Sequence, residues 1–243
     1  MSDTDVRGGA LYLVPTLLGQ APVEHTLPTA VLQCVRGLDA FIAESAKSAR
    51  HFLKAAGYPR PLAQVSISEL NEHTSHDALP ALLEPVASGR RVGLMSEAGC
   101  PAIADPGASL VALAHERGIR VVPLVGPSSL LLALMASGLE GQRFCFHGYL
   151  PVERTAREEA IRQLESDSRR ARQTQLVIET PYRNERLFRS LLEICHPSTR
   201  LCLATDLTLT NESISTRTIG QWRLVPPPNI DKHPTVFLLL AAS

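Results

Sequence analysis

The chain has 243 residues, 44% of them hydrophobic and 20% charged, and its 24 Lys and Arg balance 24 Asp and Glu. That length holds one large α/β domain or two small ones, and the composition is that of an ordinary globular protein. A net charge of zero argues against a strong nonspecific grip on nucleic acid and leaves only a local basic patch for such a role. The cysteines (Cys34, Cys100, Cys145, Cys195 and Cys202) are odd in number and form no C-x-x-C, so reduced thiols in a cytoplasmic protein are expected, with no disulfide framework and no zinc site. No apolar run approaches the roughly 18 residues of a membrane span. Residues 1–7, polar and acidic, lack the charged-then-apolar layout of a signal peptide.

In chain order, β-rich apolar runs stand at 11–14, 41–43, 65–67, 92–95 and 121–125, with helix-like stretches at 29–36, 46–56, 77–88, 107–117 and 128–137. Each helical stretch ends at a glycine (Gly37, Gly57, Gly89, Gly118, Gly138), the residue that most readily adopts the left-handed conformation closing a helix. Strand and helix alternate, and several strands are apolar on both faces, which predicts an α/β domain with a mostly parallel sheet covered by helices on both sides. A second series follows: strands at 144–146, 176–178, 201–203 and 236–240, a more polar edge strand at 214–219, and helices at about 155–166 and 184–194. Fewer helices than strands predict a mixed sheet. The expected division is 1–125 and 126–243, with helix 128–137 bridging.

Ligands of parallel sheets bind beyond the carboxyl ends of the strands. Four loops there are built of small residues or proline: Pro15 to Gln20, Ser96 to Pro101, Gly126 to Ser129, and Glu179 to Arg183. In the second of them, Asp105-Pro106 suits a helix start, with Asp accepting N–H bonds and Pro at the first helical position. Capping leaves Ser96-Glu97-Ala98-Gly99-Cys100-Pro101 unexplained, and such residues make a backbone approachable by a flat ligand. No G-x-G-x-x-G, P-loop, H-E-x-x-H or G-x-S-x-G pattern is present. His73 and His76, beside Asp77, find no third ligand at a useful spacing, so no metal is expected. The run Arg169-Arg170-Ala171-Arg172 reads first as the positive closure of a helix and second as an RNA contact.

The ordered set P-x-x-x-G after the first strand, Asn71-Glu72, "SEAGCP…DPG", "PLVGP", "RFCFHGYLP" and "IETPYR" resembles the S-adenosylmethionine-dependent methyltransferases of the tetrapyrrole methylase superfamily. The branch it is most similar to is that of the small-subunit ribosomal RNA cytidine 2′-O-methyltransferases. The resemblance runs from about residue 11 to residue 240. It implies two α/β domains with S-adenosyl-L-methionine in a cleft between them, and a homodimer. It places cofactor contacts on Leu18, Gly19, Ala98, Gly99, Cys100, Pro101, Ile103, Ser128 and Ser129, and on Ala204 and Thr235 of the second domain.

Departures from the family pattern concentrate on polar groups. A-E-D-T-R reads Ala43 to Lys47, which keeps Glu44 and puts Ser45 and Ala46 in place of Asp and Thr. Leu70 replaces a His, Glu153 a Lys, and Thr205 and Leu209 an Arg and a Lys. Fewer cations imply a weaker and less salt-dependent hold on phosphate. The expected consequence is that the cytidine modified by the better-known members is not this chain's efficient acceptor. Methyl transfer needs alignment and a nearby base; Glu44, Glu72 and Glu179 are the catalytic candidates, and Asn71, Tyr149 and Arg183 the acceptor-positioning ones. For Glu72 helix-start solvation, and for Glu179 an ion pair with Arg183, are the competing roles. Three functions stay open: methylation of RNA at a ribose 2′-hydroxyl; methylation of a small tetrapyrrole-like acceptor; and cofactor binding or protein interaction without catalysis.

Overall fold

Continuous apolar runs in the first half of the chain build a sheet whose central strands are buried on both faces. The computed structural model describes residues 9–242; the 1–7 segment read above for a signal peptide lies outside them. The first unit runs to Ser128 and the second starts at Ser129, against an expected division between 125 and 126.

The first unit contains β1 (Ala10–Val14), α1 (Thr29–Arg36), β2 (Ala40–Ala43), α2 (Ala46–Ala55), β3 (Ser66–Glu69), α3 (Leu79–Ala87), β4 (Arg91–Met95), α4 (Ala108–Glu116) and β5 (Arg120–Pro123). Its sheet has the order β3-β2-β4-β1-β5, and every pairing is parallel. Successive side chains on β2 go to opposite faces. Phe41 and Ala43 join one core with Val31 and Val35 of α1 and Phe52 and Leu53 of α2. Ala40 and Ile42 join another with Leu83 of α3 and Leu110 of α4. This is the predicted parallel sheet with helices on both faces.

The second unit contains α5 (Ser129–Ser137), β6 (Phe144–Tyr149), α6 (Arg154–Ala171), β7 (Thr174–Ile178), α7 (Asn184–Ile194), β8 (Arg200–Thr205), β9 (Ser213–Thr218), α8 (Ile219–Trp222) and β10 (Thr235–Leu240). The strand order is β6-β7-β10-β8-β9, with β6 and β7 parallel and the remaining pairs antiparallel. The sheet is mixed, as expected, and the polar β9 forms an edge. Helix α5 packs on β8, β9 and β10, so it belongs to the second unit instead of bridging the two.

Local expectations fail at identifiable places. Four of the five helix-closing glycines have positive φ (Gly57, Gly89, Gly118, Gly138). Gly37 has φ −92°, because the turn tightens there through Gly37 N–H to Cys34 O and Leu38 N–H to Val35 O. Asp105 does not cap α4. Gly107, at φ +128°, occupies the N-cap with no side-chain cap, and Asp105 lies two residues too early, beside Ser96 and Glu97. The strand expected at 65–67 is Ser66–Glu69. The helix expected at 155–166 continues to Ala171, capped at its start by Glu153, which accepts from Thr155 N and Ala156 N, and closed by Arg172 in the left-handed conformation. The arginine run therefore ends a helix.

Gly93 sits in central strand β4 where a Cβ would lie 2.8 Å from Phe41 and 2.9 Å from Leu38, both fully buried. Gly93→Ala should destabilise the chain by about 1–3 kcal/mol, the usual cost of overpacking, read as a lower midpoint of urea unfolding with unchanged slope. A variant as stable as the wild type would show that the Phe41 ring has room to move.

Candidate active site

Parallel strands bring their carboxyl ends to one edge of the first sheet, and the loops after adjacent strands β1 and β4 meet there. Thr16 N–H donates to Gly99 O at 2.8 Å, and Thr16 Oγ1 donates to Ser96 O at 3.2 Å. Gly99 has φ +72°, and a Cβ on it would stand 3.3 Å from Leu18 Cδ2 and 3.6 Å from Pro127 O. Ala102 and Ala104 also have positive φ. Non-glycine residues held in this region store strain, which clusters at ligand-binding sites. Burial raises the pKa of the Cys100 thiol; it stays protonated and donates to Pro127 O at 3.4 Å. The structure thus brings Leu18, Gly99 and Cys100 together, with Gly19, Ala98 and Pro101 in the same two loops. Ile103 is largely exposed and Ser128 follows Pro127.

Carboxylates collect behind this loop. Glu44, at the end of β2, accepts from Glu97 N–H at 3.3 Å. Its pKa is raised by burial first and by the charge of Asp105 next. Asp105 is raised too, by burial and by Glu97, with Ser96 opposing. Ser96 Oγ is buried and has no partner at hydrogen-bond geometry, although it is near enough to Asp105 to favour the charged form. Motif reading singled out Glu44 but missed Asp105 as its partner, since D-P-G looks like a cap. Among the described residues no group of three or more His, Cys, Asp or Glu could hold a metal, and no helix is long and apolar enough to cross a membrane.

Asn71 and Glu72 follow edge strand β3, next to the end of β2 through Leu70 N–H to Ala43 O. Asn71 Oδ1 accepts from His73 N–H at 3.0 Å and closes a turn, while the Glu72 side chain is 84% exposed.

The remaining candidates lie in the second unit. Glu179 is buried, and its Oε1 accepts from Arg183 at 2.7 Å and from Thr180 N–H at 2.7 Å. That carboxylate is committed to holding the loop after β7, and Arg183 also lies 5.7 Å from the centre of the exposed Tyr182 ring. Tyr149 is exposed at the end of β6, beside a register shift in the β6–β7 pairing. Ser129 begins α5. Ala204 pairs with Val236 across β8 and β10. Thr235 shares a hydrogen bond with Thr205 at 3.1 Å. Just beyond, Asp206 has φ +51° and takes an ion pair from His233 at 2.6 Å; a small cavity of about 180 Å³ opens on these side chains.

A larger groove of about 880 Å³ lies wholly within the first unit, lined by the 16–21 loop, by residues of α2 and by Ser96 to Ala98. The first unit is thus a parallel α/β unit with an approachable strand-end loop and a groove beside it, and the second a mixed α/β unit. Residues 23–222 match the tetrapyrrole (corrin/porphyrin) methylases, and the chain belongs to that family; it is a methyltransferase. It is 31% identical over 217 residues to "Ribosomal RNA small subunit methyltransferase I" of Escherichia coli O157:H7, covering 89% of this chain and 72% of that protein. It is 35% identical over 216 residues to the protein of the same name from Neisseria meningitidis serogroup B, covering 89% and 70%. Among solved structures it is similar to the methyltransferase CobJ, with a TM-score of 0.64 and 20% identity over 96% of this chain and 95% of that one; this likeness is one of fold.

A carboxyl with a raised pKa gives stability that is full below its unfolded pKa and is lost as pH rises through the folded one. Asp105 is such a group. At pH 7 Asp105→Asn should therefore melt at or above the wild-type temperature, and the gain should shrink as pH falls into the ordinary carboxylate range, where the wild type takes up its proton. A variant less stable than wild type at pH 7 but not at pH 4 would show that the charge is favourable in place.

Proposed function

We propose that the protein transfers a methyl group from S-adenosyl-L-methionine to RNA, at a ribose 2′-hydroxyl. The observation that carries the reading is the Thr16–Gly99 loop pair: a left-handed glycine, non-glycine residues at positive φ beside it, and carboxylates around it. These features fit a cofactor held by backbone groups. Leu18, Gly19, Ala98, Gly99, Cys100, Pro101 and Ile103 would hold it, with Ser128; Ser129, Ala204 and Thr235 enter on the resemblance alone. When bound, the cofactor supplies a methyl group already activated on sulfonium sulfur.

The chain's own task is to align the acceptor, exclude water and take its proton. Of the three carboxylates named from sequence, Glu44 is the best suited. It borders the 96–101 loop through Glu97, and its raised pKa favours accepting a proton. Glu179 positions its own loop through Arg183, and Glu72 and Asn71 are assigned to the acceptor side. Tyr149 and Arg183 are assigned the same positioning role from the second unit. The names of the relatives support RNA as acceptor over a small tetrapyrrole. A cytoplasmic homodimer belongs to the same reading.

Two measurements test it. Calorimetry should show binding of S-adenosylmethionine and of its demethylated product. Gly99→Val should lower that affinity at least tenfold, whereas Gly118→Val, which carries the same kind of backbone strain at the far end of α4 with nothing within 4 Å, should keep it. Tritiated methyl incubated with fractionated RNA, protein and small molecules from a strain lacking this protein should enter RNA as an alkali-resistant 2′-O-methyl mark. Label in a small-molecule fraction, or none, would overturn the RNA acceptor. Mass spectrometry of labelled small-subunit RNA decides whether the departures at 45, 46, 70, 205 and 209 move the mark to another nucleotide.

A further inference from the structure

Helix α2 carries two opposed stripes. Ala49, Phe52, Leu53 and Ala56 are buried, at spacing i, i+3, i+4, i+7. Lys47, Arg50, His51 and Lys54 repeat that spacing on another face, exposed, and all four line the groove of about 880 Å³ together with the 16–21 loop, Glu97 and Ala98. The helix contains no acidic residue. Basic neighbours three and four residues apart repel one another, and Lys47 in the first turn opposes the positive end of the helix dipole.

The carboxylates that approach α2 meet its uncharged groups or a neighbouring backbone N–H, and none meets its basic side chains. Glu97 accepts from Ser48 Oγ, Glu69 from Ala46 N–H, and Glu44 from Glu97 N–H. Among the described residues no salt bridge includes Lys47, Arg50, His51 or Lys54; the Arg50 guanidinium reaches only Ala46 O.

We propose that this basic face of α2 grips the phosphate backbone of the acceptor RNA, while Leu18 and Gly19 across the groove stay with the methyl donor. The inference rests on the RNA reading above and deepens it. Three cations and a histidine over the eight residues 47–54 span about 10 Å of helix, a length over which successive phosphates of one strand can be met. Glu97 and Ala98, in the loop assigned to the methyl donor, line the same groove, and Glu97 meets Ser48 of α2, so a strand held on α2 lies beside the reacting centre. Three other cations are already engaged. Arg154 pairs with Glu158, Arg157 donates to Val152 O and Ser190 Oγ, and Arg170 pairs with Asp167. The positive charge missing at 153, 205 and 209 is thus supplied from α2, which the balanced total conceals.

The test replaces Lys47, Arg50, His51 and Lys54 with Gln in the full chain and measures binding to small-subunit ribosomal RNA as a function of salt. Binding of S-adenosylmethionine serves as the folding and site control and should stay within twofold of wild type. RNA affinity should fall at least tenfold at low salt, and the slope of log K against log salt should become shallower by about 2–3, at roughly 0.7 per phosphate contact on a single strand. Lys47→Gln with Lys54→Gln should give about half that change. Replacing Arg169, Arg170 and Arg172 with Gln removes similar charge from the end of α6 and should leave the slope near wild type. A folded quadruple variant with wild-type affinity and slope overturns the groove alone, and equal losses in the α6 control reduce it to a net-charge effect. A wild type that binds the donor but neither holds nor methylates RNA overturns the acceptor reading and the groove with it.

Discussion

The hydrogen bond from Thr16 N–H to Gly99 O is the constraint on which the rest of the site depends. It ties the loops after two adjacent parallel strands, and the Thr16 hydroxyl adds a second tie to Ser96 O. Neither loop has regular structure of its own, so without this pair the small residues of 96–101 would gain freedom that no core contact removes. With it, Gly99 is held left-handed against Leu18 and Pro127, and Glu97 is turned so that its N–H meets Glu44. The sheet contributes rigidity and the loop pair contributes shape.

That shape has an electrostatic cost. Glu44 and Asp105 both have raised pKa values, because burial disfavours their charged forms and nearby carboxylates add to it: Asp105 for Glu44, and Glu97 for Asp105. Clusters of this kind are uncommon where stability alone is at stake and frequent where proton transfer is needed. The basic stripe of α2 is the counterpart on the groove side: exposed, self-repelling, and without ion pairs among the described residues. Both features make sense if the groove receives a polyanion and the loop receives the group that reacts with it, which is the function proposed.

Much of the architecture was legible because it rests on local signals. Apolar runs gave the strands, glycines closed four helices in left-handed form, and the polar 214–219 segment was an edge. What escaped depends on partners distant in sequence. The order β3-β2-β4-β1-β5 follows from packing that no single run encodes. Asp105 has the local form of a cap, yet Gly107 takes that position and the carboxylate joins a cluster built from β2 and β4. Helix α6 outran its expected end because its last turns, Ser166 to Ala171, carry charge and little apolar pattern. For Glu179 the sequence left base and ion-pair partner side by side, and the contact with Arg183, one turn later, decides for the ion pair. The cations of α2 stood in the sequence at helical spacing all along. A balanced net charge directed attention away from them.

The central claim is that the loops after β1 and β4 hold the methyl donor. Hydrogen–deuterium exchange of the full chain, with and without saturating S-adenosylhomocysteine, tests it most directly. Backbone amides of residues 16–19 and 96–103 should be protected by the ligand, with little change in α3 or at the end of α6. Calorimetrically proven binding that leaves both loops exchanging as in the free protein would contradict the account.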